Sequence, residues 1–123
     1  MLLALVAFIF ILNSTAQTQF LYWKYWYFDM PMHFLGGVFL GFLAIYVLVF
    51  IFKKPVISKK YLFIFQVFLF VLVLSIAWEL YEFFIDHTFT VRNPNYIDTL
   101  SDLFFDLAGG CVSLLFLVKN KVL

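Results

Sequence analysis

The sequence is short of charge, of cysteine and of any fixed catalytic motif. Only 12% of its 123 residues are charged, against 66% that are hydrophobic. An ordinary soluble domain carries about twice that share of charge, so this chain lacks the polar groups to cover its own surface in water. Its one cysteine, Cys111, excludes an internal disulfide and any cysteine-rich metal site. Lying in an apolar helical run, it reads as a small buried hydrophobe. A net charge of +1, with no basic stretch interleaved with aromatics, points to no nucleic-acid partner. There is no HExxH or other ligand set of fixed spacing, and no internal repeat.

What the chain does have is long hydrophobic runs and 19 phenylalanines. In lipid, every backbone polar group has to be satisfied within helices or a closed barrel. The runs are continuous and do not alternate every second residue, which selects helices. The expected architecture is therefore all-α: a single-domain, polytopic transmembrane bundle of four hydrophobic helices, placed at about 1–16, 33–52, 61–85 and 98–118. The first run is the shortest. Ser14-Thr15-Ala16 after it would suit a signal-peptide cleavage point, but the basic n-region is missing, and a retained helix is expected. Phe20 to Phe28 (FLYWKYWYF) is dense in Tyr and Trp and is expected to lie at the membrane interface. Gly36, Gly37 and Gly41 in the second run permit close backbone approach. Lys53 to Lys60 (KKPVISKK) and Asp86 to Ile97, with its Asn93-Pro94 turn signal, are the connections.

Excess Lys and Arg marks the cytoplasmic side. Lys53, Lys54, Lys59 and Lys60 lie between spans two and three, and Lys119 and Lys121 follow span four. Four spans put both regions on one side, with both termini cytoplasmic in a multi-pass protein of the cell (inner) membrane. All seven acidic residues then gather at the opposite, extracytoplasmic end: Asp29, then Glu79, Glu82 and Asp86, then Asp98, Asp102 and Asp106. Glu79 and Asp106 lie on the order of 10–12 Å along their helices, where a lipid-facing carboxylate would cost at least ~2–3 kcal/mol. They are expected to face inward.

Spacing supports this. At about 100° per residue, Ser75, Glu79, Glu82 and Asp86 share an arc of about 60°. Asp98, Asp102 and Asp106 step by four, with Gly109 and Ser113 on the same stripe. Asp29 and His33 are also four apart, with Pro31 between them leaving the helical state of Asp29 open. Three such stripes suggest three helices around one acidic pocket open to the outside. Two like charges about 6 Å apart repel by roughly 3 kcal/mol at an effective dielectric of 20, and the relief is a bound cation, protonation or a basic partner. Oxygen-rich ligation suits Mg²⁺, Mn²⁺ or Ca²⁺, and an imidazole from His33 would admit Mn²⁺, Fe²⁺ or Zn²⁺. Blander roles compete: interhelical hydrogen bonds for Glu79 and Glu82, a helix cap for Asp98, a first-turn acid for Asp102 and a loop position for His87.

Three segments together resemble the YjdF family of bacterial inner-membrane proteins: Tyr27-Phe28-Asp29-Met30-Pro31-Met32-His33-Phe34-Leu35-Gly36-Gly37, Trp78-Glu79-Leu80-Tyr81-Glu82-Phe83-Phe84 and Ile97-Asp98-Thr99-Leu100-Ser101-Asp102-Leu103. By that resemblance Asp29, His33, Glu79, Glu82, Asp98, Thr99 and Asp102 carry over as the family's polar residues, whereas Asp106 and Gly110 do not. The likeness runs from about Tyr27 to the C-terminus, leaves the first helix outside, and implies no assigned activity. A looser likeness to VanZ-type membrane proteins rests on acidic helix ends alone.

Two classes of function follow. One is a metal-dependent membrane enzyme acting on a lipid headgroup or phosphate. In it Glu79, Glu82, Asp98, Asp102 and Asp106 hold a divalent cation (Mg, Mn or Zn), with His33 beside Asp29 as acid or base. The other is a cation or proton site in a carrier or accessory subunit. A structural protein that docks a partner membrane protein is a third reading, and Gly37 to Gly41 would serve a homo-oligomer as readily as packing within one chain.

Overall fold

The structure is a computed structural model that describes residues 1–53, 60–89 and 96–119, leaving aside the side chains of 86–89. Most of the KKPVISKK connection, the Asn93-Pro94 turn, Arg92, Lys121 and the side chains of Asp86 and His87 lie outside the described residues.

Among the described residues every regular element is helical: α1 (Leu2–Thr18), the single turn α2 (Leu21–Lys24), α3 (Asp29–Tyr46), α4 (Lys60–Phe89) and α5 (Tyr96–Lys119). The wider π-helical turn Val47–Ile51 continues α3, and the Phe52 amide closes it by donating to the Val47 carbonyl. Three stretches are long and apolar enough to cross a membrane: Asp29–Ile51, Lys60–Ile85 and Tyr96–Lys119. The fourth apolar helix, α1, has 17 residues, about 26 Å of rise.

The second span begins four residues earlier than its hydropathy suggests. Pro31 falls in the first turn of α3, where its missing amide hydrogen has no intrahelical partner to lose. Asp29 is therefore helical and shares a face with His33.

The surface is what a lipid solvent allows. Leu3, Phe65, Leu100 and Phe104 are all more than half exposed, an arrangement water would penalise and acyl chains do not. Burial is confined to narrow stripes. On α4, Phe63, Val67, Val71 and Ser75 recur every fourth residue, and the stripe continues to Glu79. On α5 it is Asp102, Asp106, Gly109, Gly110 and Ser113. On α3 it is His33, Gly37, Gly41, Ala44 and Leu48. The α3 and α4 stripes are polar at one end and apolar at the other, and on α5 buried Leu114 follows Ser113 at the apolar end. At the apolar end Ala44, Ile45, Leu48, Phe63, Val67 and Leu114 form a dry core.

The closest contact joins α3 to α5. A Cβ on Gly37 would strike the backbone carbonyl of Asp106, one on Gly41 would strike the Ser113 hydroxyl, and one on Gly109 would strike the carbonyl of Phe34. Contact positions advance together along both helices, so the two run parallel. Helix α4 packs against both, and α1 packs on α3.

Candidate functional site

The parallel α3–α5 seam brings the first turns of both helices together, and the far end of α4 joins them. His33 sits at the centre and is 6% exposed. Its Nδ1 lies 3.3 Å from Asp106 Oδ2. Its Nε2 lies 3.8 Å from Asp29 Oδ1, one turn earlier on α3, and 4.0 Å from Asp102 Oδ2 on α5. Two sets of three donor atoms, each set mutually within 4.8 Å, share this histidine: Asp29, His33 and Asp102, and His33, Glu79 and Glu82.

The two nitrogens of His33 have different neighbours. A neutral imidazole has one N–H donor and one lone pair. In the neutral tautomer whose Nδ1–H donates to Asp106, the Nε2 lone pair faces Asp29 and Asp102. Metal-binding histidines commonly give their second N–H to a carboxylate in this way, which fixes the tautomer and raises ligand basicity. Asp106 thus contacts His33 from outside both donor sets, where the sequence made it a metal ligand. His33, expected as an acid or base, belongs to both sets.

The other carboxylates have partial support. Thr99 hydrogen-bonds the Glu79 carboxylate, and Trp78 on the same helix bonds Glu82. Glu79 Oε1 and the Ser75 hydroxyl, one turn deeper, are buried with no hydrogen-bond partner among the described residues. The Ser101 hydroxyl lies 3.4 Å from Asp102 Oδ1 and also donates to the Asp98 carbonyl at 2.9 Å. Asp98 itself is exposed in the first turn of α5 and belongs to neither donor set. Four-residue steps drift by about 40° each, so Asp98 stands about 80° round the helix from Asp106. Its position suits a carboxylate that complements the helix dipole.

The acidic side chains Asp29, Asp102 and Asp106 converge on His33. Two shallow clefts of about 410 and 330 Å³ lie elsewhere, the first lined by Tyr27, Met30, Pro31, Phe34 and Phe105, the second by residues of α3 and α4. Neither includes an acidic side chain. Beneath the cluster, the glycine seam lets α3 and α5 approach closely.

Tyr22 is a neighbour that sequence reasoning passed over. The hydroxyl of this α2 residue donates to Asn13 Oδ1 of α1 at 2.7 Å, and its ring meets Phe28 edge-on with centroids 5.2 Å apart. Burial, with the Asp29 and Glu82 carboxylates beside it, pushes the phenol up from 10 to about 12. Nothing periodic links it to the site. The density of Tyr and Trp just before Asp29 signals only the membrane interface.

Comparison with known proteins places the chain. The model of a family described as "Predicted membrane protein (DUF2238)" matches residues 1–121. The YjdF-like proteins belong to this family, and the match takes in the first helix, which the residue likeness left outside. No curated protein and no solved structure matches.

Proposed function

The chain belongs to the DUF2238 family of predicted membrane proteins, and we propose that it holds a divalent cation between α3, α4 and α5 and uses it on a phosphate-bearing lipid headgroup. The observation that carries this reading is the pair of donor sets converging on His33, with Asp106 on its other nitrogen. Asp29, His33, Asp102, Glu79 and Glu82 offer one imidazole and four carboxylates, a set suited to Mn²⁺, Mg²⁺ or Zn²⁺. Such an ion would polarise a phosphoryl oxygen. The unpartnered Glu79 oxygen is a further acceptor in want of a cation or a donor.

Depth supports a headgroup substrate. All three tryptophans, Trp23, Trp26 and Trp78, are exposed, and all lie at the acidic end, where amphipathic rings mark the membrane–water boundary. We place this end on the extracytoplasmic side of the cell membrane, with both termini cytoplasmic, because Lys53, Lys60 and Lys119 lie at the other end. A carrier is less well supported, since the buried groups beneath the site are apolar apart from the Ser75 and Ser113 hydroxyls and carry no charge among the described residues.

Elemental analysis of protein purified in detergent without chelators tests the proposal. One bound divalent ion per chain is expected, lost in Glu82→Gln. Metal-free wild-type protein that also fails to take up added Mn²⁺ would end this reading.

A further inference from the structure

A hydroxyl inside a helix commonly spends its hydrogen bond on its own backbone, donating to a carbonyl three or four residues earlier. Thr15, Thr18, Ser101 and Ser113 all do so. Ser75 does not. It is 1% exposed, and its Oγ has no hydrogen-bond partner among the described residues. The same face of α4 carries Val71 one turn deeper, and a Cβ on Gly110 of α5 would come within 3.2 Å of that valine. Ser75 therefore points into the bundle and not to lipid. Glu79 stands one turn above it, a spacing that sets Cβ atoms about 5–6 Å apart. Helical side chains lean toward the N-terminus of their own helix, which lays the Glu79 side chain over the turn that carries Ser75. Glu79 Oε1 is likewise buried and unpartnered among the described residues. Two such oxygens on neighbouring turns are costly unless something lies between them.

We propose that Ser75 is a ligand of the cation: Ser75 Oγ and Glu79 Oε1 are its inner pair of donors, and they seat the ion on the α4 side of His33, in the set that His33 forms with Glu79 and Glu82. The inference rests on the cation reading and says which of the two donor sets holds the ion. A neutral hydroxyl oxygen is a ligand that Mg²⁺ accepts in phosphate-binding loops. With Ser75 the set becomes one imidazole, two carboxylates and one hydroxyl. Oxygen then dominates the shell, which favours Mn²⁺ or Mg²⁺ over Zn²⁺. The next buried side chain inward on this face, Val71, is apolar, so Ser75 forms the floor of the site.

The test uses full-length protein in detergent, with Cys111→Ala as the background so that no native thiol remains. Mn²⁺ affinity is read by electron paramagnetic resonance. Ser75→Ala should weaken it at least about tenfold, the lower end of what losing even the partner of a ligand costs. Ser75→Cys exchanges a hard oxygen for a soft sulfur. It should prefer Cd²⁺ to Mn²⁺ and show an ultraviolet cadmium–thiolate charge-transfer band that the background protein lacks. Glu79→Gln should weaken Mn²⁺ binding far more than Asp29→Asn does. Unchanged Mn²⁺ affinity in Ser75→Ala means that water fills the gap, and it overturns the inference while the cation site stands. A loss in Ser75→Ala with no cadmium–thiolate band in Ser75→Cys marks a packing role and overturns it too. Should neither Ser75 variant fold, the Glu79 and Asp29 variants decide. Equal losses, or a greater loss in Asp29→Asn, place the ion on the other side of His33 and overturn the inference. Wild type that takes up no Mn²⁺ removes both readings.

Discussion

Two adjacent glycines in α3 should respond in opposite ways to the same methyl group. A Cβ at Gly37 would come within 2.6 Å of the Asp106 carbonyl carbon and 2.7 Å of its Cα. Carbon atoms settle at about 3.5–4.0 Å, so Gly37→Ala forces α3 and α5 apart by about 1 Å. That displacement takes His33 Nδ1 and Asp106 Oδ2 from 3.3 Å past the range of a hydrogen bond. Overpacking of this kind costs about 1–3 kcal/mol, enough to shift a folding equilibrium roughly 5-fold or more. At Gly36 the added carbon would meet only Asp106 Oδ1, at 3.7 Å, an ordinary contact. Removing a helical glycine there gains about 0.5–1 kcal/mol. Thermal unfolding in detergent, with Mn²⁺ uptake measured on the same samples, should show Gly37→Ala destabilised and weak in metal binding, and Gly36→Ala at least as stable as wild type. Equal behaviour of the two variants would mean that the α3–α5 seam is not the contact that assembles the site.

Three further outcomes can be checked independently. Asp106→Asn should weaken metal binding about 10–100-fold by disturbing the partner of a ligating histidine, whereas Asp98→Asn, exposed and outside both donor sets, should leave it unchanged in the same titration. In a Cys111→Ala background, Lys60→Cys should react with a membrane-impermeant thiol reagent only from the cytoplasmic face and Tyr96→Cys only from the opposite one; the reverse pattern would invert the topology. In an alkaline absorbance titration, the difference between wild type and Tyr22→Phe should show one phenol ionising near pH 12. Because its pKa rises on folding, Tyr22 stabilises the fold fully below its unfolded value of about 10, and that contribution is lost as pH climbs from there through 12.

The helical periodicity made much of this molecule legible. Four-residue steps put Asp102 and Asp106 on one face of α5 and Ser75 and Glu79 on one face of α4, and those are the faces turned inward. The glycines announced a close helix contact, though not its partner: that Gly37 meets Asp106, and Gly109 meets Phe34, depends on register between distant segments. Pro31 hid the true start of α3, because the sequence does not reveal whether a proline stands in a first turn or before it. Asp98 lies on the acidic stripe by spacing, while the angular drift of the helix carries it to an exposed position. The Asn13–Tyr22 bond was illegible, because it joins two helices across a turn in which Phe20 adopts a left-handed backbone, φ 56°. No propensity rule would place that conformation at a phenylalanine.

The α3–α5 seam also sets an order of assembly. His33 is made early in synthesis, but the carboxylate on its Nδ1 and one beside its Nε2 are carried by α5, translated some seventy residues later. Until that helix enters the bilayer and threads its glycines against α3, Asp29 and His33 have no parallel neighbour, and of the two donor sets only His33 with Glu79 and Glu82 can form. The cluster around His33 is therefore completed last, with the arrival of α5.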